Sequence, residues 1–280
     1  MLSLVNRFHP ITGDPYQRDD SYWELSPCDA LKPYIRCFWG TLRPICPSPD
    51  ATPAKPGLVI PDTCMDIIFD INYSQNCFSQ TFCTLDEHSY RTSGEPCREI
   101  TGTFAIRFYA WTASLFADLD FTGLKNQAVD AAIPFRQLTA QLSPILFDEP
   151  TLTGKAAVAE NYLLRSLERI QPDANLLNTI HKLLETSGRA RIHDLCSDAV
   201  ISQRRLERLF QRHMGISPKG FASLMRYQLL WQDIAAHPRL NLLDAVDKYG
   251  YTDQAHLLND FRHRHLMTPA EALRYALHQE

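Results

Sequence analysis

Hydrophobic and polar positions repeat with two different periods along this chain, and the change falls near residue 111. Before it the period is close to two, the mark of half-buried strands. Segments 34–42 (YIRCFWGTL), 58–72, 77–85 and 102–111 (GTFAIRFYAW) each read as a strand. In the second, Ile67, Phe69 and Ile71 alternate with Asp66, Ile68 and Asp70; in the last, Phe104, Ile106 and Phe108 share one face and Ala105, Arg107 and Tyr109 the other. Residues 1–33 are irregular. Five prolines within 43–57 demand a loop, as does the polar stretch through Asp86, Glu87, His88, Ser93 and Gly94. Short strands separated by Pro- and Gly-rich turns predict a small β-barrel or double-sheet roll.

After Trp111 the spacing becomes helical. Segments 113–120, 134–143 and 151–170 fit a period of 3.6, the last long and amphipathic: a connecting strut or a packing helix. Pro172-Asp173 ends the linker, and short helices follow at 175–186, 191–197, 202–213, 217–236, 241–247, 252–264 and 268–278. The expected fold is α+β. A β-rich domain spans 1–150, a connecting helix and linker 151–173, and an all-α domain 174–280.

The helical half repeats itself. A short apolar helix at 192–196 precedes Ser202, and another at 242–246 precedes Thr252; each leads through a turn into a longer helix with Leu and Phe four apart, Leu206/Phe210 and Leu257/Phe261. On the first longer helix, Leu206, Leu209, Phe210 and Met214 form an apolar stripe, with Arg204, Arg208 and Gln211 on the opposite side. Gly215 stops the helix and Ser217-Pro218 opens the next one. A helix docked by one side and presenting guanidinium groups on the other suits a DNA major groove.

Charge sharpens this reading. The whole chain carries −4, the wrong sign for nucleic acid. Residues 174–280, however, hold 14 Lys+Arg against 11 Asp+Glu and eight of the ten His, whereas 1–173 hold 14 against 21. Local charge is the better guide.

Residues 192–277 resemble the DNA-binding domain of AraC-type (AraC/XylS) transcription regulators. RRLERLFQRHMGISPKGFASLMR, from Arg204 to Arg226, is similar to that family's first recognition helix and the start of its linker helix. GYTDQAHLLNDFRHRHLMTPAE, from Gly250 to Glu271, is similar to its signature G-[YF]-x-[DS]-Q-x-x-[LF]-x-x-x-F-[RK]-x-x-x-G-x-[TS]-P. One position departs: Leu266 stands where the family has Gly. The resemblance implies two helix-turn-helix units holding helices in adjacent major grooves of double-stranded DNA. Contacts are expected from Gln203, Arg204, Glu207, Arg208, Gln211 and Arg212 on the first helix, and from Gln254, Ala255, His256, Asn259 and Arg262 on the second. Gln and Asn pair with adenine edges and Arg with guanine or phosphate. The implied protein is a transcription regulator, an activator working with RNA polymerase, without catalytic activity. The rival reading is a sensor or interaction protein whose helical domain binds protein.

The N-terminal half is then expected to bind a small-molecule effector or to form a homodimer. Its candidate effector residues are Trp39, Asp62, Cys64, Asp66, Arg107 and Trp111. Arg107 interrupts an apolar strand and needs a partner, which Asp66 or Asp70 on a neighbouring strand can supply; a structural ion pair and an anion-binding site are the two readings. Seven of the eight cysteines lie here (Cys28, Cys37, Cys46, Cys64, Cys77, Cys83, Cys97) without CxxC or His spacing. Buried free thiols are expected, with a thiol or metal sensor as the alternative. GxSxG, P-loop, dinucleotide and HExxH motifs are absent, so no cofactor and no catalysis are expected. No run of 18 apolar residues and no secretory signal occur, so the expected compartment is the cytoplasm, away from membranes.

Overall fold

The computed structural model describes residues 8–11, 22–46, 57–91 and 99–277. Eight strands build the first half: β1 (Trp23–Leu25), β2 (Ile35–Gly40), β3 (Leu58–Val59), β4 (Cys64–Asn72), β5 (Cys77–Cys83), β6 (Tyr90–Arg91), β7 (Thr101–Tyr109) and β8 (Ala128–Asp130). Six form one antiparallel sheet in the order β1-β2-β7-β4-β5-β8, and β3 pairs with β6 in a second, two-stranded sheet. The α+β expectation is met, with an open sheet whose edges are β1 and β8.

The two-residue alternation decides which face is buried. Met65, Ile67, Phe69 and Ile71 of β4 and Phe104, Ile106 and Phe108 of β7 are all but fully enclosed. They pack with Phe82, Phe121 and Phe135 in one aromatic cluster; Phe82 and Phe135 meet edge to face at 4.8 Å. Three helices follow: α1 (Ala110–Ala113), α2 (Arg136–Asp148) and α3 (Leu152–Ser166). Helix α3 packs against α2, β2 and β7 and closes with a 3-10 turn at Leu167–Arg169.

Three expectations need adjustment. Strand β7 stops at Tyr109, and the helix expected over 113–120 is replaced by the single turn of α1. The Thr112 hydroxyl donates to the Tyr34 and Tyr109 carbonyls, while Leu115 and Phe116 make only three-residue turns. Strands β1, β6 and β8 were not expected; two or three residues are too few to show a period. The prolines at 47, 49, 53 and 56, and also Ser93, Gly94 and Cys97, lie outside the described residues.

The second half is helical: α4 (Ala174–Glu185), α5 (Ile192–Ala199), α6 (Gln203–Met214), α7 (Pro218–Ala236), α8 (Leu242–Tyr249), α9 (Gln254–His265) and α10 (Pro269–Ala276). Side chains of Asp173, Ser202, Ser217, Asn241, Asp253 and Thr268 accept the orphan amides at six of these N-termini, and Thr268 with Glu271 completes a capping box. Each short helix ends in a left-handed residue, Val200 after α5 and Gly250 after α8. The repeat seen in the sequence is therefore two α-turn-α units, α5–α6 and α8–α9, either side of α7.

Candidate nucleic-acid interface and effector cavity

Helix α6 buries Leu206, Phe210 and Met214 and leaves Gln203, Arg204, Glu207, Arg208 and Arg212 exposed, with Gln211 half-buried. Gln203 donates to Glu207 across one turn at 2.9 Å, which fixes both side chains on the outer face. Helix α9 buries Leu257 and Phe261 and exposes Gln254, Ala255, His256, Asn259 and Arg262. The His256 ring sits edge to face on Tyr251, 5.3 Å between centroids, with Nδ1 near the Thr252 hydroxyl. On α6 the exposed polar residues crowd the N-terminal turns, the end of a recognition helix that meets base edges; on α9 they run along the outer face from Gln254 to His263.

The C-terminal ends of the same helices are held by the N-terminal half. The Phe121 amide donates to the Arg212 carbonyl at 2.8 Å, Arg212 pairs with Asp120 at 3.7 Å, and Ser114 shares a hydrogen bond with His213. A Cβ on Gly215 would collide with the Leu124 carbonyl oxygen, and its φ of +68° favours glycine as well. On α9, both the amide and the hydroxyl of Ser89 donate to the Arg264 carbonyl, and the Arg264 guanidinium reaches the Glu87 carbonyl. His263 packs edge to face on His88. Between the two, fully buried Gln228 of α7 donates to the Pro61 and Ile11 carbonyls and accepts from the Ile11 amide. Of these polar residues only Arg212 is among the contacts expected from the sequence, and Glu87 and His88 appear there only as loop residues; Gln228, an amide inside a largely apolar helix run, was the legible sign.

The second feature is a cavity of about 270 Å³ in the N-terminal half. Its lining takes Trp39 from β2, Cys64, Asp66 and Ile68 from β4, Cys83 from β5 and Arg107 from β7 of the large sheet, Leu58, Val59 and Tyr90 from the small sheet, and Ile60, Asp62 and Asp86 from the connections. Trp39, Asp62, Cys64, Asp66 and Arg107 thus come together as the sequence suggested. Trp111 does not join them. It is buried where the two halves meet, stacked on Tyr109 and edge to face with Phe221.

Arg107 has found its partner. Register places it opposite Asp66, not Asp70, and the two form a forked pair, Nε to Oδ1 at 2.8 Å and Nη2 to Oδ2 at 3.1 Å. The Tyr22 hydroxyl lies 3.3 Å from Nη1, and the guanidinium sits 5.3 Å from the centre of the Trp39 ring. Burial opposes the charge on Arg107, but Asp66 together with Tyr22, Cys37 and Asp62 outweighs it and holds the guanidinium ionised. The reading of Arg107 as an anion receptor is therefore displaced by the structural pair. Burial pushes the Cys37 and Cys83 thiols up to about 12 and raises Cys64 well above the usual thiol range, so these three stay protonated at neutral pH. Among the described residues no three His, Cys, Asp or Glu converge to hold a metal, and no helix is long and apolar enough to cross a membrane.

Residues 195–275 match the family model described as a helix-turn-helix domain, and residues 23–130 match a domain of unknown function, DUF6597. No curated protein matches the chain. A Chromobacterium violaceum transcriptional regulator, described by its AraC-type DNA-binding domain, is similar at 17% identity over 37% of this chain and 96% of its own, with a TM-score of 0.32. ToxT from Vibrio cholerae O395, bound to (E)-4-(8-methylnaphthalen-1-yl)but-3-enoic acid, is similar at 11% identity over 80% of this chain and 96% of its own, TM-score 0.42. Unsaturated fatty acid-bound ToxT from strain SCE256 is similar at 8% over 92% and 97%, TM-score 0.38. Likeness at this level carries no argument about ligand or target. The class rests on the helix-turn-helix match: this is a DNA-binding transcription regulator. Residues 195–275 are a helix-turn-helix domain, in the part of the chain whose sequence resembles the AraC type.

Proposed function

We propose that α6 and α9 enter two successive major grooves on one face of double-stranded DNA, and that the N-terminal half sets their availability by binding a small effector in its cavity. The observation that carries this reading is the shared pattern of the two units, each with its N-terminal turns exposed and its C-terminal end clasped. Helix α7 between them has 19 residues, about 28 Å at 1.5 Å per residue, comparable to the ~34 Å groove repeat.

The proposed contacts follow from exposure and chemistry. Arg204 and Arg208 supply phosphate or guanine contacts, Gln203 and Glu207 act as a bonded pair on base edges, and Gln211 borders them. Gln254, Ala255, His256, Asn259 and Arg262 form the second, less basic surface. Arg212 contributes only when it leaves Asp120. Such a regulator works in the cytoplasm with RNA polymerase, as monomer or homodimer. A mobility-shift titration against fragments selected from random sequence tests this: a sequence-selective shift that weakens steeply with salt is expected. A salt-insensitive or absent shift favours the rival, a helical domain that binds protein.

A further inference from the structure

The cavity is more specific than a general effector site, because its charges are unevenly spent. Arg107 is committed to Asp66 through both of that carboxylate's oxygens, and Asp66 also accepts the Trp39 indole N–H at 2.8 Å. That leaves two further carboxyl groups on the lining. Asp62 accepts one backbone amide, that of Cys64, on Oδ1. Asp86 has no hydrogen-bond donor among the described residues, although it lines the same space. Around them stand aliphatic side chains, Leu58, Val59, Ile60 and Ile68, and the rings of Trp39 and Tyr90.

This arrangement excludes two classes of occupant. An anion would face three carboxyl groups while the single guanidinium on the lining is already forked onto one of them. A metal ion lacks a converging ligand set among the described residues. What remains unmet is positive charge attached to an apolar body. Resting on the effector reading above, we propose that this cavity binds a compact organic cation, an ammonium or amidinium head set between Asp62 and Asp86 with an aliphatic or aromatic tail against the small sheet and Trp39. The volume of about 270 Å³ lies just under the usual range of about 300–1,000 Å³ for ligand sites, which keeps the ligand small.

The electrostatics agree. Burial, reinforced by the charge of Asp66, raises Asp62 to about 7 against the pull of Arg107 and the Cys64 amide, and raises Asp86 to about 6. The other groups facing them are the Cys64, Tyr90 and Cys83 side chains and, from α7, Tyr227, all neutral because burial raises each. An empty cavity thus keeps its spare carboxyls partly protonated near neutrality, and a bound cation ionises them. Binding releases protons and tightens as pH rises through 6 to 7. The walls also connect to the DNA-binding half. Asp62 follows Pro61, whose carbonyl holds Gln228 of α7, and Asp86 and Tyr90 flank Glu87 and Ser89, which hold Arg264 of α9.

Calorimetric titration of the full chain with 2-phenylethylammonium, 2-phenylethanol and 3-phenylpropanoate tests the proposal. The ammonium probe is expected to bind at least tenfold tighter than the alcohol, and more weakly at pH 5.5 than at pH 7.5, with no heat from the propanoate. Asp86→Asn and Asp62→Asn, each confirmed as folded by its melting curve, are each expected to lose at least tenfold in ammonium affinity. Propanoate binding as tightly as the ammonium, unchanged affinity in both variants, or no binding by any probe overturns it. The broader reading is tested separately, by DNA affinity at saturating ammonium probe. Cation binding that leaves DNA affinity unchanged supports this inference and removes the effector role.

Discussion

Arg107 and Asp66 show how far single residues could be read in advance. An arginine in the apolar run of β7 demanded a carboxylate, and two were in reach along β4. Register chose Asp66, since Asp70 lies opposite Thr103 at the exposed end and accepts its hydroxyl. Trp111 shows the opposite outcome. Aromatic residues serve cores and cavities alike, and its place depends on the turn after Tyr109, which carries no period. At this scale two substitutions are informative. Arg208→Ala should cost DNA affinity by about tenfold or more, in line with ~1–3 kcal/mol for a good side-chain contact. Asn259→Ala should cost less, because the second surface is less basic; equal losses in a mobility-shift titration would contradict this. Asp62→Asn should change the pH dependence of stability. Burial raises the folded pKa from 3.8 to about 7, so the native group stabilises fully below about 4 and its contribution is lost as pH rises toward 7. The variant should be more stable than the native chain in urea at pH 8, with the gap closing by pH 4.

Among elements, the helices of the second half were legible nearly to their ends because three signals coincide in most of them: an apolar stripe, a side-chain cap at the start (missing only from α5) and a left-handed residue or turn at the stop. Helix α9 tests the last of these. Gly215 ends α6 at φ +68°, and Leu266 ends α9 at φ +63° with the same amide-to-carbonyl bond four residues back. The departure from the family's glycine therefore leaves the turn intact and places the strain on Leu266. A left-handed leucine costs ~1–2 kcal/mol, partly offset by the extra unfolded-state freedom of glycine, ~0.5–1 kcal/mol. Leu266→Gly should raise stability by up to about 1 kcal/mol in denaturant titration, with DNA affinity little changed; a loss of stability would show that the exposed leucine packs productively.

Across the whole molecule, the interface between the halves was the least legible feature. Its polar part is built from backbone carbonyls of Pro61, Arg212 and Arg264 and from polar groups in loops and helices, which leave no periodic trace. Gln228→Ala would strand the Pro61 carbonyl and both polar groups of Ile11, and should cost about 1–3 kcal/mol in chemical unfolding. His265, inside the helical half, adds a pH dependence of its own. Burial against Trp231, Phe261 and Tyr227, whose hydroxyl shares a hydrogen bond with Nδ1, pushes its pKa from 6.5 down to about 4. The neutral ring therefore stabilises fully above pH 6.5, and that contribution is lost as pH falls toward 4. His265→Gln should flatten the acid limb of the melting-temperature profile, and an unchanged limb would locate the acid sensitivity elsewhere.

The central claim is that one chain reads two adjacent grooves through α6 and α9. Hydroxyl-radical footprinting of the full chain on a selected high-affinity fragment tests it most directly. Two protected patches on one face of the duplex, about 10–10.5 base pairs apart, are expected, with Arg208→Ala weakening one and Asn259→Ala the other. A single patch insensitive to changes in α9, or protection without phase, would contradict it.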